Sequence, residues 1–270
     1  MRTVIQISDL HFGSILAPTL DPLIDLLWRL QPDLVIVSGD VTQRARPEQF
    51  AAARAYLDRM PQPRLVLPGN HDVPLYDVLR RFASPLGRYT AAITDDLAPV
   101  FIDEEIAVVG INTARSLTIK GGDISTSQLS ESVARFDALT SHQARIIVTH
   151  HPFDIPEGLT GVKTVRGAAR ALEAFERCDV DLFLSGHIHL VHITSAAKYR
   201  PGYHATILQA GSATSTRARR EANSFFVFRI GDTAIDCDTH SWNPDTSLFE
   251  LTASHKFERV SRSAASISSG

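Results

Sequence analysis

Asp, Asn and His side chains that could bind metal ions occur in five short blocks along the chain. The blocks are Asp9-Leu10-His11, Gly39-Asp40, Gly69-Asn70-His71-Asp72, His150 and Gly186-His187-Ile188-His189. Carboxylate, amide and neutral imidazole ligands together suit divalent metals such as Mn, Fe or Zn. One ion needs three or four ligands, and the blocks offer about twice that number. The pattern therefore favours a pair of ions. Enzymes use paired ions to hydrolyse phosphate esters and amides.

Short apolar runs directly precede the blocks and predict the strands that position them. These runs are Val4–Ile7, Leu34–Val37, Leu65–Leu67, Ile146–Val148 and Leu182–Leu184. Runs of this kind are typical of strands buried on both faces. Ligand sites in open α/β sheets lie beyond the carboxyl ends of such strands. We therefore expect the five blocks to meet at one edge.

Apolar stripes with helical spacing separate the predicted strands. The third stripe consists of Leu75, Val78, Leu79 and Phe82. A stripe at this spacing usually marks the face of a helix that packs on the core, so we predict that these side chains are buried. After Gly186 the helical signal fades. The segments that then favour strands, and with them a second sheet packed on the first, are Val191–Thr194, Ala205–Gln209, Phe225–Ile230 and Ala234–Cys237.

Composition narrows the class of protein. The chain has 270 residues, a net charge of −3 and two cysteines, Cys178 and Cys237. Nucleic-acid-binding domains usually show a basic stripe, and none stands out, so we do not expect nucleic acid as a partner. Two cysteines cannot form a disulfide framework, no signal peptide is evident, and no apolar run is long enough to span a membrane. We therefore expect a soluble, cytoplasmic protein.

The order of the blocks, D-x-H, G-D, G-N-H-D/E, H and G-H-x-H, resembles that of the calcineurin-like metallophosphoesterases. The resemblance extends from Asp9 to His189. It implies an α/β fold in which two mixed β-sheets pack face to face between helices, a four-layer αββα sandwich with the metal site at the carboxyl ends of strands. We assign residues 1–240 to the catalytic domain. Residues 241–270 form a C-terminal extension, expected to be partly disordered or packed on the domain or on a partner subunit.

The same resemblance implies how the ligands divide between two divalent ions. It assigns the first ion to Asp9, His11, Asp40 and His189. It assigns the second ion to Asp40, Asn70, His150 and His187. Asp40 would bridge the two, and a hydroxide between the ions would attack phosphorus. The sequence leaves open whether the ions are Mn, Fe or Zn.

His71 and Asp72 are the candidate catalytic residues that bind no metal. The resemblance implies that His71 contacts the substrate phosphate and assists the leaving group. We expect Asp72 to fix the tautomer of His71 and to raise its basicity. Protonation of the leaving alkoxide would contribute about 10²–10⁴ in rate.

Several residues near the blocks keep two interpretations. His151 follows a ligand directly and is either a wall of the pocket or a structural residue. Arg44 lies four residues after Asp40, where related protein phosphatases bind phosphate, or it is a solvated loop charge. The basic cluster of Arg217, Arg219 and Arg220 either covers an anionic substrate or is solvated. Gly211–Arg217 and Gly121–Ile124 also resemble the bacterial branch that includes cyclic-nucleotide phosphodiesterases.

We interpret the chain as a hydrolase of small phosphodiesters, with cyclic nucleotides or glycerophosphodiesters as candidate substrates. Lys and Arg are sparse near the blocks, and a diester needs fewer cationic contacts than a monoester. The alternatives are a phosphomonoesterase or a nucleotide pyrophosphate hydrolase on the same site, and then a non-catalytic scaffold. A scaffold would lack ligands, and none is missing from the pattern. Association with further copies of the chain stays open.

Overall fold

The computed structural model describes residues 1–118, 120–137, 139, 142–217 and 221–259. In chain order its strands are β1 (Arg2–Ile7), β2 (Leu34–Ser38), β3 (Arg64–Leu67), β4 (Val100–Ile102), β5 (Ile106–Gly110), β6 (Ala144–Val148), β7 (Leu182–Ser185), β8 (His192–Ser195), β9 (Thr206–Gln209), β10 (Ser224–Ile230), β11 (Ala234–Asn243) and β12 (Leu248–Glu258). Its α-helices are α1 (Leu20–Leu30), α2 (Pro47–Leu57), α3 (Val78–Ala83), α4 (Gly87–Ala92), α5 (Thr126–Asp137) and α6 (Ala168–Glu176). Short 3₁₀ turns cover Ala17–Thr19, Asn70–Asp72 and Ala196–Lys198.

The strands form two six-stranded mixed sheets. The first has the order β12-β11-β10-β1-β2-β3, and the second has the order β4-β5-β6-β7-β9-β8. Strands β1, β2 and β3 run parallel, as do β5, β6, β7 and β9. The apolar runs before the blocks therefore end on the same side of their sheets, which places the polar residues after them together.

Three apolar layers hold the sheets and helices together. The middle layer lies between the sheets and contains Ile36, Val148 and Phe226. One outer layer packs α1 and α2 on the first sheet, and the other packs α5 and α6 on the second. Strands such as β2 are buried over their whole length because both of their faces meet an apolar layer. The predicted four-layer αββα sandwich is confirmed.

Two sequence predictions about these elements are wrong. The strands after Gly186 do not make a sheet of their own: β8 and β9 complete the second sheet, while β10, β11 and β12 extend the first. The third apolar stripe is not a core face, since Val78, Leu79 and Phe82 are 60%, 86% and 58% exposed. Helix α3 has only six residues, and its buried side chain is Arg81, which anchors it to the loop at 116–118.

The predicted domain boundary at residue 240 falls inside β11. Strand β12 pairs with β11 from Ala234 to Asn243, with one irregularity at Thr239 and His240. Residues 241–259 thus continue the first sheet, and residues 260–270 lie outside the described part of the chain. The division at residue 240 stays a prediction. Every described helix is too short or too polar to cross a bilayer.

Candidate metal centre

The predicted ligands follow the carboxyl ends of five strands, three from the first sheet and two from the second. Several of them have left-handed backbones at the point where the chain turns. The positive φ angles are 55° at Asp9, 53° at His11, 50° at Asp40, 78° at His187 and 58° at His189. Asp and His tolerate this region better than most residues, although it still costs free energy. Residues with strained backbones cluster at functional sites. Here the positive φ angles direct the five side chains toward a common region.

One group of ligand atoms joins Asp9, His11, Asp40 and His189. The Nε2 atom of His11 lies 3.3 Å from Nε2 of His189 and 3.4 Å from Oδ1 of Asp9. The distance from His11 Nε2 to Oδ2 of Asp40 is 3.6 Å. The two imidazole rings are stacked, with centroids 4.9 Å apart. Their facing Nε2 atoms and the carboxylate oxygens therefore enclose a single point.

A second group lies on the other side of Asp40. Its Oδ1 atom is 3.3 Å from Nε2 of His150, and that nitrogen is 3.2 Å from Oδ1 of Asn70. The Nδ1–H of His150 donates to the carbonyl of Ser38 at 2.9 Å, so Nε2 is the nitrogen left to bind an ion once the ring has lost its other proton. The ring of His187 stands 5.2 Å from that of His150. Asp40 thus presents one oxygen to each group.

These groups fit divalent ions. Ligand atoms bound to one ion at about 2.1 Å lie about 3.0–3.4 Å apart, close to the spacings of both groups. Asp9 Oδ1 and Asp40 Oδ2 are buried, and neither has a hydrogen-bond partner among the described residues. A buried carboxylate oxygen without a donor is costly, and a cation removes that cost. The other oxygen of Asp9 accepts from Ser8 Oγ at 2.7 Å and from the His187 N–H at 2.9 Å, which aims Oδ1 at the first group.

The charges of the site favour bound cations. Burial works to raise the pKa of Asp9 and of Asp40, but the neighbouring histidines outweigh it and hold both pKa values below the usual range. Burial lowers the pKa of His187 to about 3 and that of His189 to about 4, so both rings are neutral ligands. His150 differs: burial opposes its charge, yet Asp40 and Asp9 raise its pKa to about 9.

Two glycines of the motifs, Gly69 and Gly186, lie so close to neighbouring side chains that a Cβ atom would not fit. A Cβ at Gly186 would overlap Ser8 Oγ and Asp9 Oδ2, and one at Gly69 would overlap Asp40. Each glycine therefore makes room for a carboxylate. In an extended segment, His187 and His189 would lie on one side, because alternate residues share a face. The segment 187–189 is instead a bend with positive φ at both histidines, which sends His189 to the first group and His187 to the second.

His71 lies beside the two groups with its ring fixed by the backbone. Its Nδ1–H donates to the carbonyl of Gln43 at 2.8 Å, which leaves the lone pair on Nε2. That Nε2 is 4.0 Å from Oδ2 of Asp40 and accepts from Nη1 of Arg217 at 2.9 Å. Burial, with contributions from His11 and Arg217, lowers the pKa of His71 against the opposing effect of Asp40. His71 is therefore neutral while it accepts from Arg217, and its Nε2 must gain a proton before it can donate to a leaving oxygen.

The role predicted for Asp72 is wrong. Its two oxygens accept from the backbone N–H groups of Val41, Thr42 and Gly69 and from the Thr42 hydroxyl. Asp72 therefore ties the loop after β2 to the loop after β3. The group that selects the tautomer of His71 is the Gln43 carbonyl, which the sequence could not reveal because any residue type supplies a carbonyl.

Three residues with open interpretations, His151, Arg44 and Arg217, now have definite contacts. His151 is buried, with Nδ1 2.8 Å from the Thr113 hydroxyl, and its ring is 4.7 Å from that of His187. Arg44 is half-buried and lies over the ring of Tyr76 at 5.7 Å. Of the basic cluster, Arg217 contacts His71, and Arg219 and Arg220 lie outside the described residues.

A cavity of about 460 Å³, the metal cavity, opens above the two groups. Besides Asp40, Asn70, His71, His187 and His189, its lining includes Thr160, Gly161 and Val162 from the loop after β6. Three cations, Lys120, Lys163 and Arg217, also line it. The sequence near the blocks is poor in Lys and Arg, but the fold brings these cations in from three distant loops. A substrate phosphoryl group with two negative charges is therefore compatible with the charge of this cavity.

Known proteins resemble the chain in sequence and in fold. Over 89 residues it is 38% identical to the glycerophosphodiester phosphodiesterase GpdQ of Enterobacter lignolyticus, a match that covers 29% of the chain and spans only 31% of that relative. It is 24% identical over 231 residues to a probable glycerophosphodiester phosphodiesterase GpdQ of Arcobacter nitrofigilis, covering 83% of the chain and 78% of that protein.

Among solved structures, a dimetal phosphatase from Danio rerio superposes with a TM-score of 0.69 at 15% identity, covering 96% of the chain and 99% of that structure. At this identity the match shows a common fold. The model of the calcineurin-like phosphoesterase family matches residues 2–191, which include all five blocks. The chain belongs to the calcineurin-like phosphoesterase family and carries the ligand groups of a divalent-metal centre.

Proposed function

We propose that the chain is a metal-dependent phosphodiesterase with two divalent ions. Asp9, His11, Asp40 and His189 would hold the first ion, and Asp40, Asn70, His150 and His187 the second. The observation that carries the proposal is the position of Asp40, whose Oδ2 faces His11 at 3.6 Å while its Oδ1 faces His150 at 3.3 Å. A carboxylate placed in this way serves two neighbouring ions at once.

The paired ions would supply Lewis acidity and an activated water for attack on phosphorus. The chain's own residues bind and orient the ester. His71 presents Nε2 to the metal cavity and is placed to act on the leaving oxygen, while Arg217 is placed to contact a phosphoryl oxygen. The Gln43 carbonyl keeps the His71 ring in one orientation. The cavity wall at 160–163 would exclude water from one side of the bound ester.

Phosphodiesters are the proposed substrates because the two relatives above are named as glycerophosphodiester phosphodiesterases. A second candidate is a phosphomonoesterase or a pyrophosphate hydrolase. It is favoured by the three cations of the metal cavity, which would suit a phosphoryl group with two negative charges. The rates on bis(p-nitrophenyl) phosphate and p-nitrophenyl phosphate at one Mn²⁺ concentration separate the two candidates.

We expect chelation to abolish hydrolysis of bis(p-nitrophenyl) phosphate and Mn²⁺ to restore it. Metal-free protein should keep less than about one thousandth of the activity, since the ions supply several kcal/mol of transition-state stabilisation. Metal content and rate are measured on the same samples. Full activity in protein shown to be free of metal would contradict the proposal, as would a strong preference for the monoester.

Metal binding should release about one proton per chain near pH 7.5. His150 has a pKa raised to about 9 and must lose its proton to bind an ion. Affinity should therefore rise with pH up to about 9 and fall on acidification, by up to about tenfold per pH unit for one proton. Calorimetric titration with Mn²⁺ in buffers of different ionisation enthalpy gives the proton count. Binding without proton release would show that His150 is neutral in the metal-free protein.

We further propose a cytoplasmic location. The proposal rests on Cys178 and Cys237, which are both buried and free, as is usual in a reducing compartment. Cell fractionation with an antibody to the chain tests the location.

A further inference from the structure

A second, smaller cavity adjoins the metal cavity on the side of His71. This side cavity has a volume of about 220 Å³ and shares Asn70, His71, Lys120 and Arg217 with the metal cavity. Sites for whole ligands typically measure about 300–1,000 Å³, so the side cavity would hold a substituent of a ligand rather than a complete one. Because His71 stands between the two spaces, the substituent would belong to the part of the ester that leaves.

The side cavity is strongly cationic. Its lining includes Arg44, Arg81, Lys120 and Arg217, and none of the described residues that line it is Asp or Glu. None of these four cations has a carboxylate within 4.0 Å in the described part of the chain. The acidic residue nearest to α3 in sequence, Asp77, is already paired with Arg80 and Arg88. An anion entering the cavity would therefore meet positive charges that no carboxylate of the described residues neutralises.

Two of the cations are held in fixed positions. Arg81 is only 7% exposed, and its guanidinium donates to the carbonyls of Pro74, Ser116 and Thr118 at 2.6–3.0 Å. These bonds use three of its five N–H groups. A buried guanidinium that is bonded only to neutral carbonyls still carries an uncompensated charge, and an anion is the partner that balances it. Arg44 is steadied by the ring of Tyr76 beneath it at 5.7 Å.

We propose that the side cavity binds a second anionic group, a carboxylate or a phosphate, on the leaving part of the substrate. This inference rests on the proposed phosphodiesterase function and narrows its substrate class. Val73 and Leu75 add an apolar wall that would contact the carbon skeleton bearing the charge. A phosphodiester with a neutral leaving alcohol would fill the metal cavity alone and leave these cations solvated.

Two synthetic esters of equal size test the assignment. They are methyl 3-carboxy-4-nitrophenyl phosphate and its neutral counterpart, methyl 3-carbamoyl-4-nitrophenyl phosphate. Both release a coloured nitrophenolate, and division by the rate of hydroxide-catalysed hydrolysis corrects for their intrinsic reactivity. With the Mn²⁺-loaded protein we expect kcat/KM to favour the carboxylate ester by about tenfold or more, the effect of one or two charge-assisted contacts.

Arg44→Gln and Lys120→Gln should each lower that preference several-fold, up to about tenfold. The control is Arg46→Gln, which removes the same charge from an exposed site two residues from Arg44 and should keep the preference of the unmodified protein. Equal kcat/KM for the two esters, or a preference that all three variants retain, would overturn the side-cavity assignment and leave the phosphodiesterase function standing. Hydrolysis of neither ester by protein carrying two metal ions would instead contradict the proposed function itself.

Discussion

Asp40→Ala is expected to lose both metal ions and at least about 10³-fold in kcat. Its two oxygens face different ligand groups, so removing the carboxylate would take a ligand from each proposed ion, and those ions would be the main source of transition-state stabilisation. The substitution also leaves His71 without the acceptor that its backbone N–H uses at 2.8 Å. Metal content after equilibration with Mn²⁺, measured beside the rate on bis(p-nitrophenyl) phosphate, gives the result.

Two further variants make the Asp40 experiment specific. Asn70→Ala should weaken the second ion more than the first, because the Oδ1 atom of Asn70 lies 3.2 Å from Nε2 of His150 in the second group. Asp154→Asn removes another buried carboxylate, one that binds His192 and Lys198 and belongs to neither ligand group. It should keep both ions. Near-full metal content in Asp40→Ala would refute the bridging position.

His71→Ala is expected to keep two ions per chain and to lose about 10²–10⁴ in kcat, the range of general acid catalysis. His71 is 4.0 Å from Asp40 and belongs at the edge of the ligand groups, with its Nε2 held toward the cavity by the Gln43 carbonyl. The loss should depend on the leaving group. p-Nitrophenolate leaves without much protonation and should suffer least, whereas a ribose alkoxide from a cyclic nucleotide should suffer most.

Three outcomes of the His71 experiment separate the possible roles. A loss that grows with the basicity of the leaving group supports action on the leaving oxygen. An equal loss for both substrates would show that His71, together with Arg217, mainly stabilises charge on the phosphoryl oxygens. Loss of metal from His71→Ala would place His71 among the ligands and contradict both roles. Arg217→Gln is the companion variant, expected to keep both ions and to slow both substrates alike.

The ligand positions could be predicted because they are tied to strands. Runs such as Leu34–Val37 are apolar on both faces, so their ends and the residues that follow are marked in the sequence. Strand β5 is equally apolar but ends at Gly110 without a ligand, and β12 alternates weakly along an exposed edge, so neither was marked by the pattern. The prediction for helix α3 was wrong because the spacing of its apolar residues is typical of a face that packs on the core. In the structure Arg81 is the buried side chain, and the apolar residues therefore face outward.

The cations that line the metal cavity and the group that binds His71 could not be predicted from the sequence. Lys120 and Lys163 come from long loops between strands, where no periodicity fixes the path of the chain. The partner of His71 is a backbone carbonyl, and the motif suggested its neighbour Asp72 instead. Arg217 lies in a segment that resembles the branch with cyclic-nucleotide phosphodiesterases. Its contact with His71 depends on how the loop after β9 meets the loop after β3 in the folded chain, and the sequence does not reveal that path.

The most direct test of the account is a titration of metal-free protein with Mn²⁺ in which bound metal and kcat are measured together. Two equivalents should bind per chain, and hydrolysis of bis(p-nitrophenyl) phosphate should appear with the second equivalent, because both ligand groups that share Asp40 must be filled. Full activity at one equivalent, with no further binding, would contradict a two-ion centre.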